Sequence, residues 1–126
     1  MSRLASKENV VLVVEDDELI RMHAVDMVRD LGFETIEAAN SDDAISVLEK
    51  CADIDVIFTD IQMPGKLDGL DLVEIVRDRW PPIAVLVTSG RVNHPDLPAG
   101  MRFVAKPYLS RELKIHLLAL IGAEPA

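Results

Sequence analysis

The sequence predicts an α/β protein in which helices cover both faces of a parallel sheet. Two observations carry that prediction. Short runs of continuous aliphatic residues, at Val10 to Val14, through Val56, Ile57 and Phe58, and at Ile83 to Val87, lack the in-and-out alternation of a half-exposed strand; they read as strands buried on both faces. Between them, apolar residues recur at the three- and four-residue spacing of an amphipathic helix. Strand alternating with helix along one chain implies right-handed crossovers and therefore parallel pairing.

In order, the first strand ends in Glu15-Asp16-Asp17. From Glu18 to Leu31 the residues Ile20, Ala24, Met27, Val28 and Leu31 mark a helix, with Asp17 as its N-cap and Gly32 as its stop. Thr35-Ile36 lies in a short second strand. Ser41 is the expected N-cap of a second helix, which carries Ala44, Ile45 and Leu48 and ends near Cys51. The strand that follows Ile54 stops at Thr59-Asp60. Met63-Pro64-Gly65-Lys66 and Asp68-Gly69 then break regular structure before Leu70, Val73, Ile75 and Val76 resume helical spacing. Trp80-Pro81-Pro82 closes that helix, because proline cannot continue it. The strand at Ile83 to Val87 runs into Thr88-Ser89-Gly90. Pro95 and Pro98 make Arg91 to Gly100 a loop. Phe103-Val104-Ala105 is a strand ending at Lys106-Pro107, and Ser110 is the expected cap of a last helix carrying Leu113, Leu117, Leu120 and Ile121.

A chain of 126 residues suits one domain with one core, from about residue 9 to 122, with no output domain attached. The hydrophobic fraction of 49% and charged fraction of 28% describe a folded, soluble protein without a membrane-spanning run. Met1-Ser2-Arg3-Leu4 carries no secretory signal, so a cytoplasmic location is expected. Cys51 is the only cysteine, which excludes a disulfide framework or a paired-cysteine metal site and leaves it a packing role. A net charge of −9 argues against nucleic acid as a partner.

Parallel sheets gather chemistry at the carboxyl ends of their strands. Those ends bear Glu15, Asp16, Asp60, Thr88 and Lys106. Three converging carboxylates repel one another and ask for a cation. The all-oxygen donor set suits Mg²⁺, with Mn²⁺ able to substitute, and His23, His94 and His116 show no ligand spacing. A carboxylate beside a cation, a lysine and a hydroxyl can accept a phosphoryl group, with Asp60 as nucleophile and an acyl phosphate as product. Singly, each residue has a plainer reading: Asp60 or Asp68 as a turn residue, the acidic trio as a helix start, Ser89-Gly90 as a turn, Lys106 as a surface charge. Joint occurrence at strand ends favours the site.

The chain resembles the receiver domain of two-component response regulators, through VLVVEDD at Val11 to Asp17, FTDIQMPG at Phe58 to Gly65, LVTSG at Leu86 to Gly90 and KPY at Lys106 to Tyr108. The resemblance implies a flavodoxin-like fold of five strands in the order 2-1-3-4-5. It implies phosphorylation of Asp60 by a histidine kinase or a histidine phosphotransfer protein, and Mg²⁺ held by Asp16, Asp60, Glu15 through a water, and the backbone carbonyl of Gln62. Lys106 would pair with the phosphoryl group, Thr88 would swing to bond it, Phe103 matches the aromatic switch position, and the Lys106-Pro107 bond is expected to be cis.

Two departures from the family pattern stand out. The loop MPGKLDG after Asp60 is longer than usual, and the interval between Thr88 and Lys106 is too short for a full fourth helix, which is therefore expected to be shortened or missing. Thr88 and Phe103 would then couple to a rearranging loop. Leu19-Ile20 is placed for an exposed apolar contact with the kinase, or for burial. The expected protein is a single-domain receiver, monomeric or weakly dimeric, that binds an unidentified downstream protein when phosphorylated or acts as a phosphate shuttle or sink. Its enzymatic character would stop at self-phosphorylation and slow hydrolysis. The alternatives are a pseudo-receiver binding module and a Mg²⁺-dependent aspartyl phosphohydrolase; the second usually needs an acid two residues after the nucleophile, where this chain has Gln62.

Overall fold

The computed structural model describes residues 9–51, 53–90 and 97–122. Five strands and four helices follow one another as β1 (Val10–Val14), α1 (Glu18–Asp30), β2 (Glu34–Ala38), α2 (Ser41–Lys50), β3 (Val56–Asp60), α3 (Gly69–Arg79), β4 (Ala84–Ser89), β5 (Arg102–Ala105) and α4 (Ser110–Ile121). All four strand pairings are parallel and the spatial order is β2-β1-β3-β4-β5. The expected doubly wound, flavodoxin-like sheet is what forms, and no helix stands between β4 and β5 among the described residues.

Alternation along the strands divides the core between the two faces. Val11, Val13, Val56, Phe58, Leu86 and Val104 meet α1 and α4 through Ala24, Val25, Val28, Leu113 and Leu117. On the other face Leu12, Val14, Ile57, Val85 and Val87 meet α2 and α3 through Ala44, Leu48, Leu72, Val73 and Val76. β1 and β3 are buried at every position, which is why their sequences are continuous and not alternating. β2 is an edge strand with Glu34 and Glu37 exposed.

Two helix starts differ from expectation. Asn40, not Ser41, caps α2 by accepting from the Asp43 amide at 2.7 Å; Ser41 is the first helical residue, buried, and its hydroxyl donates to the Asp68 carbonyl at 3.2 Å. Ser110 likewise opens α4 without capping it, and the cap residue is Leu109, whose amide donates to Glu112 Oε1 at 2.8 Å. In both cases neighbouring residues compete for one role, and the angle of chain entry decides between them. Asp17 caps α1 as expected, accepting from the Leu19 and Ile20 amides. Residues 91–96 of the Arg91 to Gly100 loop lie outside the described residues, together with His94. The segment's last residues are irregular, and Leu97, Met101 and Phe103 pack against the α3 side of the core. The Lys106-Pro107 bond is cis, as expected.

Candidate functional site

The order β2-β1-β3 reverses the direction of winding at β1 and β3, and the carboxyl ends of strands at such a reversal flank a crevice. Asp60, the last residue of β3, is buried at 6% exposure. Its Oδ1 accepts from the Gln62 amide at 3.1 Å, and its Oδ2 accepts from Lys106 Nζ at 2.7 Å. The backbone beneath it is pinned twice: the Ile61 amide donates to the Thr88 carbonyl at 3.0 Å, and the Gly69 amide to the Ile61 carbonyl at 2.9 Å. Gly69 starts α3 behind an Asp68–Asp71 capping box, and a Cβ there would collide with the Asp60 carbonyl. The Asp68-Gly69 turn signal thus hides a requirement for close backbone approach.

Lys106 extends from just beyond β5 and reaches Glu15 Oε1 at 2.8 Å as well as Asp60, so one ammonium bridges two buried carboxylates. Burial alone would lower the Lys106 pKa, but the hydrogen bonds to Asp60 and Glu15 outweigh it and the net shift is upward. Burial raises the Glu15 carboxyl pKa, against the opposing pull of Lys106 and the Asp17 amide. Asp16, beside Glu15, is exposed. Glu15, Asp16 and Asp60 each offer one carboxylate oxygen, and these atoms lie within 4.8 Å of one another. Such all-oxygen ligands at the rim of a crevice fit a hard divalent cation.

Thr88 pairs directly with Asp60 across the β3–β4 ladder, and side chains at paired positions project to the same face. Its Oγ1 is buried without a hydrogen-bond partner. A buried hydroxyl without a partner carries a free-energy cost. Phe103 lies on the opposite face, half-buried against the α2 and α3 core. Tyr108 stacks edge-on against Phe58, with ring centroids 5.5 Å apart at 67°, and burial pushes its phenol up to about 12.

The expected residues Asp60, Lys106, Glu15, Asp16, Thr88 and Gln62 therefore meet at one sheet edge, while Phe103 stays beneath it. Two further features were not expected. Ser89 Oγ donates to the Gln62 side-chain carbonyl at 2.6 Å, tying the end of β4 to the loop after Asp60. Arg21, on the first turn of α1, donates to the Glu15 carbonyl at 2.8 Å. A basic residue soon after an acidic trio was the available signal for Arg21. Leu19 and Ile20 are exposed, at 76% and 41%, and with His23, Met27, Pro107 and Tyr108 they line an apolar groove of about 550 Å³ running to Lys106.

Fold and site together define an open α/β protein with an acid-rich, lysine-bridged centre at the carboxyl edge of its sheet. Residues 11–121 match the sequence model of the response regulator receiver domain, and the chain belongs to that family. It is 32% identical over 116 residues to the hydrogenase transcriptional regulatory protein HoxA of Cupriavidus necator, a match covering 87% of this chain and 23% of that protein. The sensor kinase CckA of Brucella abortus is 30% identical over 109 residues, covering 82% of this chain and 11% of CckA. This chain thus spans less than a quarter of either relative's length. Among solved structures, a receiver domain protein from Clostridium thermocellum superposes with a TM-score of 0.80 at 28% identity, covering 90% of this chain and 94% of that one. The receiver domain of the hybrid histidine kinase CckA superposes with a TM-score of 0.76 at 29% identity, covering 90% and 99%.

Proposed function

We propose that this chain is a phosphoacceptor of a two-component relay, receiving a phosphoryl group on Asp60 from the phosphohistidine of a kinase or phosphotransfer protein. One observation carries the reading: the buried Asp60 carboxylate is bridged by Lys106 to Glu15 and stands across the ladder from the orphaned Thr88 hydroxyl. An Asp60 oxygen attacks phosphorus in line with the leaving imidazole. The P–N bond breaks, the O–P bond forms, and the imidazole takes up a proton from solvent. Lys106 moves from the carboxylate to a phosphoryl oxygen, and the Gln62 amide already faces the Asp60 carboxyl to hold its orientation. Asp16, Asp60 and Glu15 would hold Mg²⁺, with the Gln62 carbonyl as a further ligand; Mg²⁺ would supply neutralisation of the charge that gathers on the phosphoryl oxygens.

In the phosphorylated form a phosphoryl oxygen gives Thr88 Oγ1 the acceptor it lacks, which favours a displaced β4 end. Gln62 supports the acceptor role over the phosphohydrolase reading, since a carboxamide has no proton acidic enough to serve as a general acid. The apolar groove beside Lys106 suits an apolar helical face of the donor protein. The downstream step is phosphorylation-dependent binding of a further protein, or onward transfer of the phosphoryl group.

The test is intact-protein mass after incubation with acetyl phosphate or phosphoramidate, with Mg²⁺ or EDTA. A single adduct that needs Mg²⁺ and is absent from Asp60→Asn is expected. An adduct that persists in Asp60→Asn would place the chemistry elsewhere.

A further inference from the structure

Arg21 is the fourth residue of α1, and its side chain leans back toward the helix N-terminus, the direction that helical side chains favour. There Nη1 donates to the Glu15 carbonyl at 2.8 Å while Nε donates to Glu37 Oε1 of β2 at 3.2 Å. The Arg21 side chain is only 17% exposed, whereas Glu37 at 45% stays open to solvent. The Glu15 amide is held as well, donating to the Ala38 carbonyl at 3.1 Å. Both polar groups of the Glu15 backbone are therefore fixed at the point where β1 turns into the acidic loop.

That fixation has a directional consequence. With its peptide groups held on either side, residue 15 turns its carboxylate inward to Lys106, and Asp16 follows on the solvent side with a carboxylate oxygen within 4.8 Å of those of Glu15 and Asp60. Without the guanidinium the Glu15 carbonyl loses its donor; the bond from the Asp17 amide to Glu15 Oε2 at 3.2 Å restrains the Glu15 side chain but not the Glu15–Asp16 peptide plane, and Asp16, which is exposed, is aimed less well. Coulomb's law makes the opposite forecast, because removing a positive charge near a cation site should tighten cation binding. The two effects differ in sign.

We propose that Arg21 is a positioning residue for the cation site, acting through the Glu15 carbonyl to hold the Glu15 and Asp16 carboxylates in binding geometry. The inference rests on the reading of these acids as a Mg²⁺ site. Partners that orient metal ligands are worth roughly tenfold or more in affinity. The experiment is calorimetric titration of Mg²⁺ into wild type, Arg21→Met, Arg21→Lys and, as an electrostatic control, Lys106→Met. It is paired with amide hydrogen exchange of residues 15 to 17 in EDTA.

Arg21→Met is expected to bind Mg²⁺ about tenfold more weakly, with faster exchange at Asp16 and Asp17 and unchanged exchange at Val11 to Val13. Arg21→Lys, which keeps the charge but not the fork, should fall between it and wild type. Lys106→Met should bind more tightly. Unchanged or tighter binding by Arg21→Met would overturn the inference; should that variant not fold, wild-type affinity in Arg21→Lys would overturn it equally. No saturable binding by wild type would instead overturn the reading of the site itself.

Discussion

Replacing Lys106 by methionine keeps the aliphatic stem and deletes the ammonium that bridges Glu15 and Asp60 at 2.8 and 2.7 Å. Two carboxylates with side-chain exposures of 6% and 8% are then left facing each other. Breaking a buried pair from one side costs about 3–5 kcal/mol; the ammonium is partly exposed, so solvent screening reduces this to about 2–3 kcal/mol in the metal-free protein. For a domain of this size that lowers the melting temperature by about 8–12 °C. The loss should shrink as pH falls, because Glu15, already raised by burial, can take up a proton and relieve the repulsion. Mg²⁺ should reverse it. At contact-range separations in a water-like medium a unit charge and a divalent ion repel by roughly 1–2 kcal/mol, so the variant should bind Mg²⁺ about tenfold more tightly. Urea unfolding in EDTA and in saturating Mg²⁺ measures both effects. An unchanged midpoint in EDTA, or unchanged Mg²⁺ affinity, would refute the argument that Lys106 stands in for the cation.

Thr88→Val removes a buried hydroxyl without a partner, so the unphosphorylated protein should gain about 1 kcal/mol in urea unfolding while losing the phosphorylation-dependent change at the end of β4; a loss of stability would mean that the hydroxyl is satisfied after all. Gly69→Ala drives a Cβ into the Asp60 carbonyl and should cost at least 2 kcal/mol, approximately, and weaken Mg²⁺ binding, whereas Gly65→Ala, with open space around it, should be felt only through its positive φ. His116 accepts from Arg102 Nε at 2.9 Å through Nδ1, and burial, followed by the Arg102 charge, lowers its pKa against a smaller opposing pull from Glu112. Its folded value thus lies below the unfolded one, so its contribution to stability is present above pH 6.5 and is lost as pH falls through the folded value. A proton-NMR titration should place its midpoint below 6.5, moving upward in Arg102→Met; a midpoint at or above 6.5 in the wild type would reject the assignment.

The strands were legible because burial on both faces favours apolar residues: Val10–Val14 is aliphatic throughout, and Val56–Asp60 is apolar for its first three residues, before Thr59, whose buried hydroxyl donates to the Asp60 carbonyl, and Asp60 itself. The acids, Thr88 and Lys106 were legible for the same reason, since polar groups at the ends of apolar runs have few structural explanations. Helix caps were read less well. Asn40 beside Ser41, and Leu109 beside Ser110, are choices between adjacent residues that depend on how the chain enters the helix. The Ser89 to Gln62 contact joins residues whose types suit many roles, so spacing does not reveal it; for Arg21 the position soon after the acidic trio was a signal, but not that its partner is the Glu15 carbonyl.

Sequence alone thus determined the fold class, the strand ends and the chemical types of the groups delivered there, because hydrophobic periodicity is a local record of which faces are buried. The tertiary structure decided which of those groups touch. Lys106 bridges acids at the carboxyl ends of β1 and β3, Gly69 admits the Asp60 backbone, and Arg21 holds the carbonyl of Glu15. These are contacts between elements, set by sheet order and crossover geometry, and a one-dimensional pattern carries no distances across the sheet.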